Sequence, residues 1–343
     1  MNMKKNTLEH WSEFFHDRGI SYELFEIYLV YIQKLISTDS PIIFEKEHLS
    51  QLLGINDSIL NKMINSPNSF YRKFTIPKRR GGDRNIVAPY PSLLSCQHWI
   101  YKNILLTEQP HYSCHGFTPK KSIISNAKIH IGSKTLLKMD LEDFFPSIPI
   151  NWVVRYFQQR GYANNVSFYL AALCCYDEHL AQGAATSPYL SNLLLKGLDE
   201  RLTNLCLKYN LKYSRYADDL AISGEYVPHT LIEVITEIVS DYGLKVNIKK
   251  TALLINARKK IITGIAVTED HIRVPRSFRR ELKNTMNFIL KYGFISHVTQ
   301  LKIKDPYYLF SLIGKVNFLM QVEPENKNAR EWKSTLINIL KSQ

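Results

Sequence analysis

Three acidic residues sit where strand-forming sequence stops. Asp218 and Asp219 are adjacent within "KYSRYADDLAISG", with β-forming runs on both sides, and Asp140 closes the apolar run "TLLKMD". Aspartate is depleted inside strands and common in turns, so the pair is expected at a tight turn between two short strands, aimed at one concave face. Asp140 is expected to end a buried strand beside that hairpin. Carboxylate oxygens are the ligands that hard divalent cations prefer. Two such ions about 3.5–4 Å apart can activate a hydroxyl and stabilise a leaving pyrophosphate. Bound cations would also offset the repulsion that drives clustered carboxyl groups to titrate upward. A lone Asp-Asp pair is more often solvated surface; the strand-terminal Asp140 upstream is what sets this group apart. Glu142 and Asp143, just beyond it, are expected to be exposed turn residues.

The elements that must carry these acids follow from periodicity. Residues 8–38 and 44–65 have apolar positions at helical spacing, with a break at Gly54 and Asp57 or Ser58 as the expected cap of the next helix. "YRKFTIPKRRGGDRNIVAPY" reads as a hairpin turning at Gly81-Gly82. Helices are expected over 91–107, 150–160, 166–175 and 229–242. A strand is expected over 135–141, and further strands near 245–255 and 260–267. "SPYLSNLLLKGLDERLTNLCLKYN" reads as one long amphipathic helix, and about 275–343 as mainly helical and basic.

Composition narrows the class of partner. The chain has 44 Lys and Arg against 31 Asp and Glu, a formal charge of +13, which suits a polyanion. Hydrophobic content of 45% can fill a core, which argues against global disorder. The five cysteines include no C-x-x-C pair, so neither a disulfide framework nor a zinc site is expected. No stretch approaches the roughly 20 apolar residues of a membrane span. A reduced, cytoplasmic protein without a membrane partner is the expectation.

Taken in order, "MDLEDFFPSI" at 139–148, "QGAATSPYLSNLLL" at 182–195 and "YADD" at 216–219 resemble the motifs of reverse transcriptases. The resemblance covers most of the chain and implies an α+β, right-hand polymerase fold. A helical extension would span 1–68, fingers and palm (an antiparallel sheet with helices) 69–267, and a helical thumb 268–343. "GKVNFL" at 314–319 is similar to a thumb pattern of bacterial members. By this resemblance Asp140, Asp218 and Asp219 are the catalytic ligands of two Mg²⁺ ions, with Mn²⁺ as the substitute. Phe145 is the aromatic gate beneath the incoming sugar, where a ring would clash with a 2′-hydroxyl. Lys78 and Arg84 clamp the triphosphate of the dNTP, with Arg79 and Arg80 close enough to exchange roles. Gln182 and Gly183 line the nucleotide pocket, the glycine permitting close backbone approach. Ala185 stands where many relatives carry proline.

Two further signatures resemble the retron reverse transcriptases: Asn126-Ala127-x-x-His130, and Thr263-Gly264 preceded by Ile262 in place of valine. That likeness implies a dedicated structured noncoding RNA. DNA synthesis would be primed from the 2′-hydroxyl of a guanosine in that RNA, giving a branched RNA–DNA product. It also implies a toxic effector protein as partner in an antiphage system. Asn126, His130, Thr263 and Gly264, with Arg273, Arg276, Arg279 and Arg280 of the basic C-terminal segment, are the candidate RNA-binding residues. No ribonuclease H segment is visible, so template removal is expected to need another enzyme. Two other readings fit parts of the chain: a group II intron-like reverse transcriptase, and a non-catalytic RNA-binding scaffold of the same fold. The 76 residues after Val267 leave no room for both a maturase region and an endonuclease.

Overall fold

The structure, a computed structural model, describes residues 2–78, 81–257 and 260–342. The chain begins with four helices, α1 (Asn2–Asp17), α2 (Tyr22–Ser37), α3 (Lys46–Leu53) and α4 (Asp57–Asn65). The hairpin β1 (Tyr71–Pro77) and β2 (Asp83–Pro89) follows, then α5 (Pro91–Asn103), α6 (Ile123–Ile129) and β3 (Thr135–Asp140). Next come α7 (Ile150–Gln159), α8 (Asn164–Cys174), the short pair β4 (Cys175–Tyr176) and β5 (His179–Leu180), α9 (Ser187–Leu194) and α10 (Lys196–Lys208). A second hairpin, β6 (Lys212–Tyr216) and β7 (Asp219–Gly224), precedes α11 (Leu231–Asp241), β8 (Ala252–Ile255), β9 (Lys260–Ile262), β10 (Ile265–Val267) and β11 (Ile272–Arg273). Four helices end the chain: α12 (Arg276–Tyr292), α13 (Phe294–Gln300), α14 (Tyr308–Val322) and α15 (Lys327–Lys341).

These elements form two compact units of interleaved stretches. One holds Met1–Thr118, Leu141–Leu202 and Val234–Asn247; the other holds Pro119–Asp140, Thr203–Glu233 and Ile248–Gln343. The segment 69–267 expected as fingers and palm is therefore divided between both. No helix among the described residues is long and apolar enough to cross a membrane.

In the first unit the N-terminal helices turn apolar faces inward through Leu49, Leu60 and Met63. Gly54 ends α3 at φ +67, and Asn56, not Asp57 or Ser58, caps α4, its side-chain oxygen accepting from the Ser58 amide at 2.8 Å. Buried Arg160 ties the end of α7 to the chain before α3, donating to Ser40 Oγ at 3.1 Å and to Thr107 Oγ1 at 2.6 Å. The long helix expected after Ser187 is two, separated at Leu195. Gly197 lies in the first turn of the second, and a Cβ there would stand 3.0 Å from the Tyr242 hydroxyl.

The second unit is built on a four-stranded sheet of order β6-β7-β3-β8, with a three-stranded sheet β11-β10-β9 beside it in sequence. The run "TLLKMD" is nearly continuous in burial because β3 lies between β7 and β8, antiparallel to both. Leu136 and Ala221 from the larger sheet share one core with Ile262, Ile265, Met286, Val316 and Trp332. At about 25 cal/mol per Å² of apolar surface removed from water, such side chains supply the main driving force that holds strands and C-terminal helices together.

Candidate active site

The acids meet through strand register. Asp140 at the end of β3 pairs directly with Asp219 at the start of β7, and Tyr216 of β6 pairs with the same Asp219. Ala217 and Asp218 form the two-residue turn between β6 and β7, with Ala217 in the left-handed region at φ +56. An L-residue adopts that conformation only when its surroundings hold it there. Arg215, 0% exposed, supplies one hold, its Nη1 donating to the Ala217 carbonyl at 3.1 Å. Asp140 is 9% exposed, whereas Asp218 and Asp219 are half-buried.

Crowding has an electrostatic consequence. Burial, then the charge of Asp218 and to a smaller extent that of Asp140, push the Asp219 carboxyl up to about 6, with Lys138 and Lys250 pulling the other way. The Lys250 ammonium donates to Asp140 Oδ1 at 2.8 Å, and that hydrogen bond holds Lys250 above its ordinary value. Among the described residues no three His, Cys, Asp or Glu side chains are already gathered as a metal cage. The three acids nonetheless fit a cation, because strand register gathers carboxylate oxygens at one sheet end and a lysine ammonium already sits against Asp140. Sequence reading missed Lys250; its signal was position alone, just before the strand that pairs with β3.

In the first unit, Lys78 and Arg84 stand exposed at the tip of the β1–β2 hairpin, whose register pairs Ile76 with Arg84. The Lys78 amide donates to the Gly82 carbonyl at 2.8 Å, closing the loop. Arg79 and Arg80, the alternative phosphate clamps, lie outside the described residues. Gln182 and Gly183 pack on this hairpin: the Val87 amide donates to the Gln182 carbonyl at 2.9 Å. Gly183, at φ +133, lies where a Cβ would come within 2.7 Å of the Val87 carbonyl oxygen. The protein's own strand β2 therefore requires this glycine. Buried Gln97 holds the same loop, its Oε1 accepting from the Ala185 amide at 2.9 Å and its Nε2 donating to the Tyr71 hydroxyl at 2.8 Å. Phe145 is half-buried beside Phe144 and, with ring centroids 6.4 Å apart, beside Phe117. Glu142 and Asp143 are exposed.

The expected RNA-binding residues divide by accessibility. Thr263 and Gly264 form the two-residue turn between β9 and β10, both at positive φ, and Gly264 is exposed. Arg273, Arg276 and Arg280 are exposed, whereas Arg279 donates to Glu323 in an ion pair. Asn126 and His130 are each only 1% exposed, so direct contact of these side chains with RNA is not available in this structure. Asn126 instead donates to Thr263 Oγ1 at 3.4 Å, joining the two sequence signatures.

The reverse transcriptase (RNA-dependent DNA polymerase) family profile matches residues 76–287. The retron Ec86 reverse transcriptase of Escherichia coli is 30% identical over 302 residues, covering 84% of this chain and 94% of its own length. The retron Mx162 reverse transcriptase of Myxococcus xanthus is 31% identical over 277 residues, covering 69% of this chain and 57% of that protein. A solved foamy viral protease–reverse transcriptase in complex with double-stranded DNA aligns at 16% identity with a TM-score of 0.46, over 89% of this chain and 46% of that one. That last likeness carries no part of the assignment.

Proposed function

The chain belongs to the retron reverse transcriptases, RNA-directed DNA polymerases of mixed helix-and-sheet, right-hand fold, and from that premise we propose that Asp140, Asp218 and Asp219 form its catalytic centre. The observation that carries the proposal is the in-register pairing of Asp140 with Asp219, which puts carboxylates from three chain positions at the end of one sheet. Members of the family use divalent metal ions; Mg²⁺ is the ion proposed here. Bound between these carboxylates, Mg²⁺ would lower the pKa of the attacking hydroxyl and neutralise charge on the leaving pyrophosphate. Asp140 and Asp218 serve as its principal ligands, and Asp219, whose proton is held to about pH 6, as the neighbouring carboxylate. The buried Arg215 keeps the turn in the conformation that presents Asp218.

In the same reading Lys78 and Arg84 grip the triphosphate, Gln182 and Gly183 line the nucleotide pocket, and the Phe145 ring excludes a 2′-hydroxyl. Thr263, Gly264 and the exposed Arg273, Arg276 and Arg280 contact RNA. The template is a structured noncoding RNA with a priming guanosine 2′-hydroxyl, the product a branched RNA–DNA hybrid, and the setting an antiphage system with a toxic effector. The relatives' retron identity and the +13 charge support a nucleic-acid partner of this kind.

The test is to purify the protein from cells carrying its native genomic neighbourhood and treat the bound nucleic acid with ribonuclease, deoxyribonuclease and a debranching enzyme. Short DNA joined to RNA by a 2′,5′ bond is the expected result. Unbranched cDNA would remove the 2′-hydroxyl priming, and absence of DNA from a variant with Asp218→Ala and Asp219→Ala is the expected control.

A further inference from the structure

The Asn126-x-x-x-His130 signature is buried, so its chemistry must be spent inside the protein. A reciprocal cap fixes the start of α6: Ser122 Oγ accepts from the Ser125 amide at 3.3 Å, and Ser125 Oγ accepts from the Ser122 amide at 2.9 Å. One turn later Asn126 meets Thr263, and at the far end His130 uses both ring nitrogens. Its Nδ1 lies 2.7 Å from Ser223 Oγ and its Nε2 lies 2.8 Å from Ser214 Oγ. Ser214 belongs to β6 and Ser223 to β7, the strands that meet at the turn carrying Asp218. Both serines are fully buried, and Ser223 is bonded further to Ser133 Oγ at 2.9 Å. Register places these serines on the face that carries Asp219, because residues 219, 221 and 223 alternate with 220 and 222 and Ser214 pairs with Ala221.

We infer that His130 is a positioning residue for polymerisation: its imidazole clamps β6 to β7 from α6 and thereby fixes the catalytic turn. A neutral imidazole has one donor and one acceptor nitrogen, and a serine hydroxyl can serve either, so one ring satisfies both strands in either tautomer. Backbone pairing alone sets which residues of β6 and β7 face each other. The clamp adds a third point, on a helix whose other polar contact holds the Thr263–Gly264 turn. Catalytic carboxylates must stay within about 0.5 Å of productive geometry, and β6, the edge strand, joins its sheet through β7 alone, so a contact from α6 that reaches both strands limits its twist.

This inference rests on the polymerase reading of the acids, and two readouts separate them. Steady-state addition of dNTP to a primed homopolymer template gives kcat and KM, and titration with Mn²⁺ alone, followed by electron paramagnetic resonance, gives carboxylate geometry without polymerisation. His130→Ala is expected to lower kcat about tenfold or more, with the KM for dNTP within about twofold, and to weaken Mn²⁺ binding. Asn places its amide where Nδ1 stood and Gln where Nε2 stood, so His130→Asn and His130→Gln should each recover part of the loss by restoring one arm. Should His130→Ala fail to fold, Ser214→Ala and Ser223→Ala test the arms separately, each expected to lower kcat and non-additive with the matching His130 variant. Wild-type kcat and Mn²⁺ affinity in folded variants lacking the clamp would overturn the inference. A wild-type protein that adds no dNTP, with Mn²⁺ binding still weakened by His130→Ala, would overturn the polymerase reading and leave the clamp standing.

Discussion

Asp219 holds its proton to about pH 6 because burial and two neighbouring carboxylates disfavour its charge. Its folded pKa lies above the unfolded value of 3.8, so its stabilising contribution is complete below about pH 4 and is lost as pH rises to about 6. Above that window the metal-free protein carries a charge penalty. Asp219→Asn should therefore raise the stability of metal-free protein at pH 7.5 by on the order of 1–2 kcal/mol, after discounting for solvent screening. That gain should shrink toward pH 4, while polymerase activity is lost at every pH. Chemical denaturation with a chelator present checks this, and equal or lower stability of the variant would remove the repulsion argument. Lys250 acts on the same carboxylates from outside. Its ammonium competes with a metal for Asp140 Oδ1, so Lys250→Met is expected to lower the Mn²⁺ concentration for half-saturation by about two- to tenfold. Unchanged or weakened Mn²⁺ binding would deny that competition.

At the scale of elements, the β1–β2 hairpin and the Gln182–Gly183 loop behave as one piece. The loop carbonyl continues the hydrogen bonding of β2, and Gly183 has a conformation and a closeness to Val87 that no side chain fits. Gly183→Ala should cost about 2–4 kcal/mol, combining backbone strain with displacement of β2. Because the displaced strand leads to Lys78 and Arg84, the KM for dNTP should rise as well. A lower melting temperature with an unchanged KM would separate the hairpin from nucleotide binding. The glycine was legible in the sequence and its reason was not: a close approach was expected toward substrate, and the neighbour found is the protein's own strand.

Across the whole molecule the excess of positive charge has to be accessible to act on RNA. Arg273, Arg276 and Arg280 are exposed, whereas Arg279 is engaged with Glu323. Replacing the three exposed arginines with glutamine should weaken RNA binding and reduce the slope of log affinity against log salt by about 2–3, near 0.7–0.9 for each phosphate no longer neutralised. Arg279→Gln should instead lower stability, since it leaves Glu323, which also accepts from the Val274 amide, without its partner cation. Binding titrations over a range of salt concentrations distinguish the two classes, and an unchanged slope in the triple variant would place the RNA elsewhere.

By itself the sequence determined what local geometry and order along the chain decide. Asp140 at a strand end, a turn at Asp218 (though Asp219, expected in the same turn, starts β7), Gly81-Gly82 in a hairpin loop and the helical character of the C-terminal segment all follow from short-range backbone preferences and apolar period. The motif order carried the family. Only the tertiary structure decided which side chains meet across long stretches of chain. Lys250 faces Asp140 across 110 positions, Asn126 reaches Thr263 across 137, and His130 bridges two serines more than 80 positions away. The reason is physical: burial and hydrogen-bond partners depend on strand register and helix packing, which are set by the whole core and leave no local mark. For the same reason Asn126 and His130 look in sequence like available polar residues, and become interior ones once α6 is laid against β6, β9 and β10.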